Sequence, residues 1–203
     1  SDKPLAIVRE LSCNARDAHV EAGRADVPFD VFLPNELEPV LLIRDYGTGL
    51  SHEKVMGLYT TYFDSTKGDS NEAIGAFGLG TKSPFSYTSR FTVVSRYQGT
   101  KRTYIAFLGK DAVPNITCLS EEATDEHNGM DVQLDVARED FSAFERAAGQ
   151  ALKRFDPLPA IKGSDVTIEP ITYCLEGTNW AVRGELDDEG NPSVNFGRGR
   201  FRD

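Results

Sequence analysis

Apolar residues recur at helical spacing near the start of the chain, where Ile7, Val8, Leu11, Ala15 and Ala18 fall on one stripe. With Pro4 suited to a first turn and Gly23 to a stop, the pattern predicts a helix from Pro4 to Ala22. The period then shortens. Phe29 to Leu33 and Val40 to Arg44 are β-prone apolar runs separated by Pro34, Asn35 and Pro39, which predicts two neighbouring strands. A short helix is predicted from His52 to Tyr59, and the polar, aperiodic stretch from Asp64 to Ala73 reads as a mobile loop. Thr81 to Tyr87 reads as the first turns of another helix despite Pro84. Phe91 to Arg96 and Thr103 to Leu108 flank Gln98-Gly99, a hairpin signature. Met130 to Val136 reads as a strand. Glu139 to Phe155 reads as a helix with Phe141, Phe144, Ala148, Ala151 and Leu152 on one face, and Val166 to Ile171 as a last strand.

A chain of 203 residues is long enough to bury a proper core, and one principal domain is expected. Its apolar runs all fall short of the roughly 18 residues of a membrane span. The net charge of −10 argues against broad binding to a nucleic-acid backbone, which draws on clustered Lys and Arg. A nucleotide site is still open to an acidic protein, because it relies on backbone N–H groups, a local cation and Mg²⁺. Cys13, Cys118 and Cys174 are far apart and lack a C-x-x-C spacing, which argues against a zinc site or a disulfide framework and points to a reducing cytosol. His19, His52 and His127 are equally scattered. The Gly-rich tail from Asp187 to Asp203 reads as a linker or the start of something further.

Three segments carry candidate chemistry. Glu10, Asn14 and Asp17 are four and three residues apart on the first predicted helix and share a face. A carboxylate there can take the proton of an attacking water, and an amide oxygen can complete the shell of Mg²⁺; a solvated helix face has the same spacing. Asp45-Tyr46-Gly47-Thr48-Gly49 ends a strand that reads as buried. Such a carboxylate can accept from an adenine amino group while the glycines let backbone approach the ring, although a plain Asp-Gly turn also fits. Gly75-x-x-Gly78-x-Gly80, followed by Thr81, Lys82 and Ser83, opens a predicted helix whose free N–H groups can cradle phosphates. Its spacing is the reverse of the dinucleotide fingerprint and one residue out of register with a Walker A loop.

In this order and at these separations the three segments resemble the N, G1 and G2 boxes of the GHKL ATPases, the family of DNA gyrase, MutL and the large heat-shock chaperones. Ser65-Thr66-Lys67 resembles the short stretch before the glycine loop in MutL-like and chaperone members, and Asn128-Gly129-Met130-Asp131-Val132 a later strand motif. Tyr62 to Lys67 and Ile74 to Tyr87 are more similar to the rII A-type rapid-lysis proteins of tailed phages. The likeness covers roughly residues 4–160. It implies an α+β Bergerat fold, a mixed, mostly antiparallel sheet with helices on one face, as an ATP-binding domain over residues 1–160. Residues 161–203 would supply final strands and a linker, or the start of a second domain.

The resemblance implies a role for each matching residue. Glu10 would polarise the attacking water, Asn14 hold Mg²⁺, Asp17 stand near the nucleotide and Asp45 read the adenine amino group. Gly47 and Gly49 would line the base pocket, Gly75, Gly78, Gly80 and Thr81 would wrap the phosphates, and Lys67 and Lys82 would supply cations. Met130 stands where members carry a threonine at the base. The implied activity is slow Mg²⁺-dependent hydrolysis of ATP coupled to lid closure or homodimer formation. The setting would be the cytoplasm of an infected host, with a host protein or membrane-associated partner and no direct nucleic-acid binding. The alternatives are a non-enzymatic phage protein that docks on a host target and uses nucleotide structurally, and a phosphotransfer kinase, disfavoured because none of the histidines lies in a suitable helix pair.

Overall fold

The computed structural model describes residues 2–60, 80–110 and 112–171, with backbone alone at 59, 60, 80 and 81, and the backbone of four short strands thereafter. It divides into two compact units, Ser1–Ile168 and Glu169–Asp203. Helix α1, Lys3–Glu21, begins where the Asp2 side chain accepts a hydrogen bond from the Leu5 N–H, with Pro4 in the first turn. Strands β1 (Asp30–Phe32) and β2 (Val40–Arg44) follow, then helix α2 (His52–Thr60). After a 3₁₀ helix at Gly80–Ser86 come β3 (Arg90–Tyr97), β4 (Thr100–Leu108), β5 (Pro114–Ala123), β6 (Gly129–Asp135), helix α3 (Phe141–Ala151) and β7 (Ala160–Lys162).

The seven strands form one sheet in the order β5-β4-β3-β6-β2-β1-β7. Neighbours are antiparallel except β1 and β7, which run parallel. The class is therefore α+β with a mixed, mostly antiparallel sheet. Gln98 and Gly99 both have positive φ, 50° and 77°, as a type I′ hairpin turn requires.

Alternation along the central strands decides which side is core. Leu41 and Ile43 of β2, Leu134 of β6, and Phe91 and Val93 of β3 are buried together with Ile7, Val8, Leu11 and Ala15 of α1 and Phe144, Ala147 and Ala148 of α3. The alanines of α3 allow it to lie close against α1, which it contacts. Val55 brings α2 into the same core.

Four differences from the sequence pattern have physical causes. The segment from Val166 to Ile171 is not a strand; the strand lies earlier, at Ala160–Lys162, where it adds to the edge of β1. Residues 80–86 wind as a 3₁₀ helix rather than an α-helix, and Pro84, lacking an N–H, sits inside it. Strand β5 begins at a proline and is mostly exposed, so it carries no apolar run to mark it. The α-helical part of the stretch from Glu139 to Phe155 is shorter, with single 3₁₀ turns at both ends. In the second unit β8 (Tyr173–Gly177) pairs with β9 (Trp180–Arg183), and β10 (Glu185–Leu186) with β11 (Pro192–Ser193), both antiparallel.

Candidate functional site

Asp45 is the first residue past β2, and the alternation that buries Leu41 and Ile43 carries it inward as well; it is 7% exposed. Its Oδ1 accepts hydrogen bonds from the Gly47 N–H at 2.9 Å and the Met130 N–H at 3.2 Å. Its own N–H donates to the Met130 carbonyl. The contact at Met130 is made by backbone, so it does not depend on the side chain there. Burial pushes the Asp45 carboxyl up to about 7, and the two backbone hydrogen bonds offset only part of that rise.

Both glycines of the turn are required by the packing. A Cβ at Gly47 would stand 2.6 Å from the carbonyl oxygen of Ala18 on α1. Gly49 has φ of +66°, and a Cβ there would collide with the Arg96 carbonyl. Gly47 is thus the point at which the Asp45 turn touches α1. The neighbouring Tyr46 is held from the same side: its N–H donates to His19 Nε2 at 2.8 Å, and its carbonyl accepts from Arg24 at 2.9 Å.

Glu10, Asn14 and Ala18 form one i, i+4, i+8 row along α1. At 1.5 Å per residue, Asn14 is about 6 Å and Glu10 about 12 Å from Ala18 along the helix axis. The row therefore starts at the Asp45 turn and runs away from it. Asn14 is half-buried, and its Nδ2 is buried without a hydrogen-bond partner. Such a group costs about 1–3 kcal/mol. Its amide suits phosphate and cation alike, because the nitrogen can donate to an oxygen and the oxygen can bind Mg²⁺. Glu10 is half-buried and accepts from Arg9 Nε and Nη2 at 3.1 and 2.8 Å. Asp17 is exposed.

Gly80 and Thr81 open the 3₁₀ helix, which packs against α1. Lys82 is half-buried, and burial lowers its pKa. Ser83 Oγ is another buried polar atom without a partner. The end of this segment is fixed: the Tyr87 hydroxyl donates to Asp140 at 2.7 Å and accepts from the Ala137 N–H at 3.0 Å, and its ring meets Phe144 edge-on. Lys67, Gly75 and Gly78 lie outside the described residues.

Two groups of residues have no counterpart in the sequence reading. His19 is fully buried between α1, the Val27 carbonyl and the Asp45 turn. Its place on the apolar stripe, four residues after Ala15, was the available signal. On the other face of the sheet, Asp131 takes bidentate hydrogen bonds from both Arg44 and Arg96, all at 2.7–3.0 Å. The signal there was charge at strand positions between apolar residues. Burial raises the Asp131 carboxyl, but the two guanidinium groups outweigh it and hold it below the usual range.

Among the described residues, no cluster of three or more His, Cys, Asp or Glu side chains could hold a metal, and no helix is long and apolar enough to cross a membrane. A Mg²⁺ held through Asn14 would take most of its remaining oxygens from phosphates and water, the usual arrangement for this ion. No family model matches the chain, and no curated protein matches it.

Proposed function

We propose that this chain is an ATP-binding domain of the GHKL type, with the Bergerat fold, that hydrolyses ATP slowly with Mg²⁺ and couples nucleotide to lid closure or to association of protomers. The observation that carries this reading is the row on α1. The Asp45 turn meets the row at Ala18, and from Ala18 an amide with an unpaired Nδ2 stands about 6 Å along the helix and the Glu10 carboxylate about 12 Å along, the order of base, metal-bound phosphate and attacking water along an extended ATP. Asp45 would accept the adenine amino group, for which its ionised form is the competent one. Asn14 would hold the cation, and Glu10 would take the proton of water. Mg²⁺, when bound, would neutralise the phosphate charge that develops on hydrolysis.

One observation favours a second reading. The Glu10 carboxylate is already engaged by Arg9, which suits a protein that binds nucleotide structurally and acts by docking on a host protein. The two readings part at hydrolysis.

Calorimetric titration of Mg²⁺–ADP and a non-hydrolysable ATP analogue into the wild type and Asp45→Asn tests the binding. The expected result is binding to the wild type that the variant loses; absence of binding to the wild type overturns both readings. Turnover of ATP then separates them. Glu10→Ala is expected to bind ATP and to hydrolyse it 10²- to 10⁴-fold more slowly, roughly the contribution of a general base. A wild type that binds without turnover leaves the second reading standing.

A further inference from the structure

His19 has no part in the roles above, yet it is fully buried and both its ring nitrogens are used. Nδ1 lies 2.9 Å from the Val27 carbonyl, which can only accept, so Nδ1 carries the proton. Nε2 lies 2.8 Å from the Tyr46 N–H, which can only donate, so Nε2 must be bare. The two backbone groups therefore select the neutral Nδ1–H tautomer. A second proton on the ring would face the Tyr46 N–H donor to donor and break that bond.

That bond joins α1 to the turn bearing Asp45. Tyr46 is the residue after Asp45, and Gly47, the next one, rests on Ala18, the residue before His19. We infer that His19 is a positioning residue that locks the Asp45 turn against α1 only while it is neutral, so that acidification releases the turn and weakens ligand binding there. The ligand in this inference rests on the nucleotide reading above.

The surroundings of the ring agree. Arg16 and Arg24, from α1 and the turn after it, are positive groups that disfavour a further proton; Asp30 of β1 favours one, and Tyr46 and Phe29 supply aromatic neighbours. Burial is the largest influence and lowers the His19 pKa, with the Val27 bond working against it. Asp45 titrates close by, so the two protons must be separated by experiment. Nucleotide binding through an Asp45 carboxylate requires one proton to leave; an intact His19 lock requires a second to be absent.

The test is the affinity for Mg²⁺–ADP as a function of pH in the wild type, His19→Gln and His19→Phe. Gln places an amide oxygen near the Nε2 position, where it can accept from Tyr46 but does not titrate. The wild type is expected to lose affinity on acidification first at about tenfold per pH unit and then, once His19 also takes a proton, more steeply, with a further loss of about tenfold or more. His19→Gln should keep the shallow limb throughout, and His19→Phe should bind roughly tenfold more weakly even at pH 8, where the Tyr46 N–H is left unpaired. A His19→Gln profile that steepens as the wild type does overturns the inference.

If the wild type binds no ADP at any pH, the nucleotide reading fails, and hydrogen exchange at the Tyr46 amide decides about His19 independently. Protection lost as the imidazole titrates supports the lock. Protection that is the same above and below that titration overturns it.

Discussion

The two faces of the sheet treat a buried aspartate in opposite ways. On the face away from α1, Asp131 is 4% exposed and meets two arginines, which hold its carboxyl low. On the face toward α1, Asp45 is 7% exposed and meets only backbone N–H groups, and burial carries its carboxyl up to about 7. The strands are the same, because Arg44 pairs with Asp131 across β2 and β6 while Asp45 bonds to Met130 beside it. A one-residue step on a pleated strand thus separates a charge that is satisfied within the fold from one that gains by meeting a donor from outside. The first kind of aspartate belongs to structure, and the second is the kind of group a binding site leaves open.

The largest expected effect comes from breaking the satisfied side. Asp131→Ala leaves Arg96, whose side chain is 7% exposed, and Arg44 without their main partner, and should cost about 3–5 kcal/mol in urea unfolding. On the other face the sign reverses. The folded-state pKa of Asp45, about 7, lies above its ordinary 3.8, so the stability it contributes is present below about 4 and lost as pH rises through 7. Asp45→Asn keeps an oxygen for both backbone donors without a charge, and should be more stable than the wild type at pH 8 by roughly 2–4 kcal/mol. The gap should close toward pH 4, where both side chains are neutral; a gap independent of pH would show that charge burial is not its cause.

Gly49→Ala sharpens the comparison at the junction between the faces, since it forces a side chain at φ of +66° into the Arg96 carbonyl. A loss of about 2–3 kcal/mol in thermal unfolding is expected. At the small end, Glu36→Gln removes the partner of Arg138 in a pair whose side chains are 63% and 77% exposed. Its effect should stay within about 0.5 kcal/mol, because water screens such pairs. A cost there approaching that of Asp131→Ala would mean that burial is not what sets the difference.

Several elements that carry the candidate site were legible before the fold. The α1 stripe, the Asp-x-Gly-x-Gly turn and the Gln98-Gly99 hairpin are local patterns, read from residues near one another in sequence. Arg44, Arg96 and Asp131 of the far face stand among apolar strand residues, and only the pairing of β2, β6 and β3 brings them together. Strands β5 and β7 were not legible: β5 is too exposed to need an apolar run, and β7 is three residues long and owes its order to β1. His19 looked like one of three scattered histidines because its partners, Val27 and Tyr46, lie on turns that only the packed chain brings to it.

What the sequence determined by itself was therefore the set of elements whose period or turn chemistry is complete within a dozen residues, together with the residue types at the three motifs. Tertiary structure decided what those residues do to one another. The bonds that define the site span 27 residues from His19 to Tyr46 and 85 from Asp45 to Met130, and the pair that distinguishes the far face spans 87. Whether a carboxylate is neutralised by a guanidinium or left against backbone amides depends on which strand is its neighbour and on which side it points. Pairing and burial set both, and no stretch of sequence holds either one alone.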